Sequence, residues 1–174
     1  MRTNHWLVFV LTAFCTLSGI AIAQPPDAKN FITHLSGDEE VPPVDTSAQG
    51  QAIFHYWDTD NDLLYKLIVA NIEGVTVAHI HCGAEGVNGP VVAFLFGPVL
   101  GGLDANGVLA QGALTDADIS TLPSSTECVS GVSDLADLLE KMRSGNAYVN
   151  VHTLENPGGE IRGQIRTAGP DNGG

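Results

Sequence analysis

The 174-residue chain carries 20 Asp and Glu against 7 Lys and Arg, a formal net charge of −13 with histidines neutral. A field of that sign repels phosphate backbones and anionic lipid, and no basic patch interrupts it, which argues against nucleic acid as a partner. The acidic residues do not fall at the offsets of a twelve-residue calcium loop.

The chain starts with Arg2, an apolar run from Trp6 to Ile22, and Ala21-Ile-Ala23 before Gln24. This is the pattern of a cleavable export signal, with no second apolar run to anchor the product in a membrane. The expected organisation is a signal peptide over residues 1–23, a short linker over 24–30, one β domain over 31–166 and a disordered tail over 167–174. The expected setting is secreted or periplasmic. Cleavage would remove Cys15 and leave Cys82 and Cys128, an even pair that an oxidising compartment would join as a disulfide. A thiolate ligand role for Cys82 is the rival reading, and strand alternation disfavours it.

The elements that follow are mostly strands. Phe31-Ile-Thr-His-Leu35 reads as the first, and Asp38 to Val44 is held irregular by Pro42 and Pro43. Gly50 to Trp57 and Leu64 to Ala70 form a hairpin across Asp58-Thr-Asp-Asn-Asp62, a solvated turn before it is a cation site. His34 and His55 read as ordinary sheet residues. Val77-Ala-His-Ile-His81 is the next strand, and its period of two sends His79 and His81 to one face, roughly 6 to 7 Å apart.

The glycine-rich segment Cys82 to Pro90 is a shaped loop without any phosphate-binding pattern. Val91 to Phe96 and Val108 to Leu114 continue the sheet. Thr115 or Asp116 caps a short turn, and Ser133 to Met142 is the one convincing amphipathic helix, with Leu135, Leu138, Leu139 and Met142 on one face, Ser133 as cap and Gly145 as stop. Tyr148-Val-Asn-Val-His152 then sets Asn150 and His152 on a common face. Glu160, Arg162 and Gln164 alternate with Ile161 and Ile165, which predicts a last hairpin with a polar edge. In it Arg162 is expected to pair with a carboxylate.

His79, His81 and His152 thus offer a three-histidine site assembled from two strands, completed by water, Asn150 or a nearby carboxylate. Three imidazoles suit copper(II) or zinc(II), so a divalent metal ion is the expected partner. The alternative is a non-catalytic structural or protein-interaction domain with no functional metal. A copper-dependent oxidoreductase is the remaining enzyme reading. Catalysis by a serine nucleophile has no elbow motif to support it, and Glu85 and Glu160 read as solvated carboxylates rather than as an acid–base pair.

Three stretches together resemble the CHRD, or chordin-type, domain: Leu35-Ser-Gly-Asp-Glu-Glu-Val-Pro-Pro43, Ala78 to Val92, and Asn146 to Thr153 with Pro157 to Ile165. The resemblance spans about Phe31 to Ile165 and implies an immunoglobulin-like or Greek-key antiparallel β-sandwich or barrel in an exported protein. His79, His81 and His152 fall inside its motifs. One copy without cysteine-rich modules does not imply growth-factor binding. The His-x-His strand is also similar to that of copper/zinc superoxide dismutase, but no bridging histidine or set of zinc ligands accompanies it.

Overall fold

The computed structural model describes residues 28–169, so the segment read as an export signal and the last five residues lie outside the description. Eight strands and one α-helix make up the described chain: β1 Asn30–Ser36, β2 Gln49–Trp57, β3 Asp62–Cys82, β4 Val91–Phe96, β5 Leu103–Leu114, α1 Leu135–Arg143, β6 Ala147–Thr153, β7 Ile161–Gln164 and β8 Arg166–Thr167. Every pairing is antiparallel. The order β2-β1-β7-β6-β3 closes on itself through a β2–β3 pairing, which makes a five-strand barrel with β4 and β5 added along β3 and β8 along β1. The fold is therefore the expected mainly-β barrel or sandwich with one helix.

The closure depends on β3. The sequence divides into two strands at Asn71 to Gly74, yet the structure runs them together as one 21-residue strand. Asn71 (φ 54°) and Gly74 (φ 62°) take left-handed conformations, and the β3–β5 register breaks between Val69 and Val75. These irregularities bend the strand without ending it. Its first half pairs with β2 and its second half with β6, so one strand serves both sides of the barrel.

The core follows from alternation. Phe31, Leu35, Phe54, Leu63, Leu67, Ile80, Val149, Val151, Ile161 and Ile165 are buried together. Helix α1 covers one end of the core with Leu135, Leu138, Leu139 and Met142. Its cap is Asp134, whose carboxylate accepts from Asp137 N–H, whereas the expected cap Ser133 donates its own N–H to the Asp137 carboxylate. Gly145 (φ 70°) ends the helix as expected. Cys82 and Cys128 form a disulfide with Cα atoms 5.3 Å apart, which removes the reading of Cys82 as a thiolate ligand.

The final hairpin differs from expectation. Strand β7 is not an edge: it lies between β6 and β1, and Glu160, Arg162 and Gln164 are all buried. Glu160 accepts from Thr46, Thr153 and Asn156, Arg162 donates to the loop between β3 and β4, and Gln164 Nε2 donates to Gly83 O and Gly145 O, while Gln164 Oε1 has no partner among the described residues. Thr167, assigned to the tail by composition, pairs with Phe31 in β8.

Candidate metal centre

On β3 the residues Ala78, Ile80 and Cys82 enter the apolar core, which turns His79 and His81 to the opposite face. On β6, Ala147, Val149 and Val151 do the same and leave Tyr148, Asn150 and His152 beside the histidines. The register sets His152 opposite Val77, Asn150 opposite His79 and Tyr148 opposite His81. His152 is thus diagonal to His79, within reach of its ring across an antiparallel pair.

The three imidazoles converge. Each offers a ring nitrogen within 4.8 Å of the others, and all three residues are buried. His79 Nδ1 lies 3.2 Å from His152 Nε2. Two ligands on one tetrahedral zinc with bonds of 2.0–2.1 Å are about 3.3 Å apart, so this pair already has ligand spacing.

Two carbonyls decide which nitrogens can bind. His81 Nδ1 is 3.0 Å from Gly89 O, and His152 Nδ1 is 3.1 Å from Pro157 O. A carbonyl only accepts, so both rings carry their proton on Nδ1 and turn the Nε2 lone pair to the cluster. This is the outer support that metal-bound histidines generally have. With the His152 proton on Nδ1, the 3.2 Å contact is a donation from His79 Nδ1–H to His152 Nε2. His81 Nε2 is buried and has no hydrogen-bond partner among the described residues.

Burial keeps the cluster neutral. It lowers His79 to a pKa of about 4, aided by the neighbouring His152 and His81. It lowers His81 to about 4 as well, with the Gly89 hydrogen bond opposing and His152 and Arg162 assisting. His152 is lowered by burial against the opposing Pro157 hydrogen bond. Neutral imidazole is the form that donates to a metal. Phe94, opposite His79 in the β3–β4 register, stands edge-on to that ring at 4.4 Å and is 51 % exposed, which marks the solvent side of the cluster.

Asn150 lies on the histidine face but turns to Glu40, donating from Nδ2 to Oε2 at 3.4 Å. Glu40 Oε1 and Asn150 Oδ1 are both buried without a partner among the described residues. Burial pushes Glu40 up to about 7 in spite of the opposing charge of Arg162 and the hydrogen bonds from Asn150 and Val41. Among the described residues Arg162 makes no carboxylate contact, contrary to expectation, and donates instead to loop carbonyls and to Asn88. Glu160 is not solvated either: it accepts from Thr46 Oγ1 at 2.8 Å and Thr153 Oγ1 at 2.7 Å, while Glu85 is exposed and pairs with Arg166. The two glutamates are not assembled as an acid–base pair. His34 is exposed and His55 bonds to Asn30, both away from the cluster.

Glu40 and Tyr148 were not singled out by sequence reasoning. Tyr148 had a signal in its i−4 spacing to His152 on one strand face; Glu40, in an irregular segment, had none. A family model described as the CHRD domain matches residues 31–165, while no curated protein and no solved structure matches the chain. That span takes in the closed barrel and all three histidines, and the chain belongs to the CHRD domain family.

Proposed function

We propose that this protein is an exported binding module that takes up one divalent first-row cation, copper or zinc, through His81 Nε2, His152 Nε2 and His79 Nδ1, the last once its proton has moved to Nε2. The observation that carries the reading is His81 Nε2. A buried polar atom without a partner is costly, and here its lone pair faces two other imidazoles. A polar patch without metal accounts for His79 and His152, which bond to one another, but leaves His81 without an acceptor's partner. Copper stands above zinc in the affinity order of such nitrogen sites. The N-terminal pattern supports a periplasmic or secreted location, and no helix among the described residues is long and apolar enough to cross a membrane. The role assigned is binding, with no catalytic step.

The test is calorimetric titration of Cu(II) and of Zn(II) into the purified chain and into a variant with His79, His81 and His152 all changed to Ala, its fold checked by circular dichroism. Saturation at one ion per chain, lost in the folded variant, is the expected result. Equal weak binding by both proteins would reject the reading.

A further inference from the structure

His81 is oriented by Gly89, and the loop that carries Gly89 is fastened by Arg162. Arg162 is 1 % exposed, and its guanidinium reaches from β7 under the loop between β3 and β4. Its Nη1 donates to Asn88 Oδ1 at 3.0 Å, and its Nη2 donates to Ala84 O at 3.2 Å and Val87 O at 3.0 Å. The central carbon of the same group sits over the Tyr148 ring, 3.5 Å from its centroid, and the Tyr148 ring stacks on His81 at 4.8 Å and 11°. Tyr148 Oη also accepts from Gly89 N–H at 3.1 Å. Two routes, one through hydrogen bonds and one through stacked rings, therefore join Arg162 to His81.

The loop has little latitude of its own. A Cβ on Gly89 would fall 1.8 Å from Cys82 O, so the loop lies directly against the end of β3, where a small displacement moves Gly89 O relative to His81. Asn88 continues the connection outward by donating from Nδ2 to Val41 O at 2.7 Å. We infer that Arg162 is a positioning residue of the metal centre: by fastening the Ala84 to Asn88 stretch it keeps Gly89 O on His81 Nδ1–H and so presents His81 Nε2 to the ion. A planar fork that bonds three acceptors and stacks on a ring is a task for arginine, and the ammonium of lysine supplies a point charge without the stack.

The inference rests on the metal-binding reading, and His152 provides an internal control for it. Its Nδ1 is held by Pro157 O on another loop, to which Arg162 donates nothing. Long-range proton–nitrogen NMR of the metal-free chain reads the tautomer of each ring, and Zn(II) calorimetry reads the affinity. Both are applied to wild type, Arg162→Lys and Asn88→Ala, the latter at an exposed position so that the fold is kept if the buried lysine variant fails. Arg162→Lys is expected to take His81 out of its single Nδ1–H tautomer while His152 is unchanged, and to weaken zinc binding about 10- to 100-fold. Asn88→Ala is expected to do the same to a smaller degree. A merely structural role would disturb all three rings alike or lower the melting temperature alone, and either result overturns the inference, as does a wild-type His81 tautomer in the folded variants. Because the tautomer readout needs no ion, a wild type that binds no zinc would sink the metal reading while the His81 result still decides the role of Arg162.

Discussion

At the scale of single residues the buried face carries two opposed proton linkages. His79 and His81 have folded pKa values near 4, below the ordinary value of 6.5, so the unfolded chain binds more protons between these limits. Their contribution to stability is complete above pH 6.5 and is lost as pH falls toward 4. Glu40 is displaced the other way, from 4.5 to about 7, so its contribution is complete below 4.5 and is lost as pH rises through 7. Urea unfolding of the metal-free protein between pH 7 and 4.5 is expected to show partial cancellation. Glu40→Gln should expose the histidine effect as a steeper loss on acidification, on the order of 1–2 kcal/mol. An unchanged pH profile in that variant would show that Glu40 does not oppose the histidines. The same depressed values imply that protons compete with a metal only well below pH 6.5, lower than free imidazole suggests.

At the scale of elements, strand alternation told which histidines share a face, because period two follows from backbone geometry and survives bulges that keep the parity. It did not tell that Glu160, Arg162 and Gln164 are buried. Burial of a polar strand face depends on which loops fold over it, and a loop's path is set by long-range partners such as the Asn88 to Val41 contact. For the same reason Glu40 was invisible, and β3 looked like two strands because Asn71 and Gly74 carry turn chemistry in a place where the ladder continues. The close approach of β7 to β1 is one such long-range condition. A Cβ on Gly163 would lie 2.0 Å from His34 O and 2.4 Å from Thr33 Oγ1, with backbone on one side and no flexible end to yield. Gly163→Ala should destabilise the barrel by about 3 kcal/mol or more, read as a shift of the denaturation midpoint. A midpoint equal to wild type would show that β1 and β7 can separate freely.

At the scale of the whole molecule, the disulfide ties the end of β3 to the segment that precedes α1, across a sequence separation of 46. Closing a loop of that length in the unfolded chain stabilises the native state by about 2–4 kcal/mol. Replacing both cysteines by Ser should lower the denaturation midpoint accordingly, and a midpoint within error of the oxidised protein would refute this.

The continuity of β3 gives the disulfide a second consequence. Sliding β3 by one residue against β6 would exchange its two faces, sending His79 and His81 into the apolar interior and turning Cys82 outward, away from Cys128. The core-facing position of Cys82 that meets Cys128 therefore belongs to the same alignment that gathers the histidines. The cross-link and the histidine cluster thus depend on one and the same β3–β6 alignment.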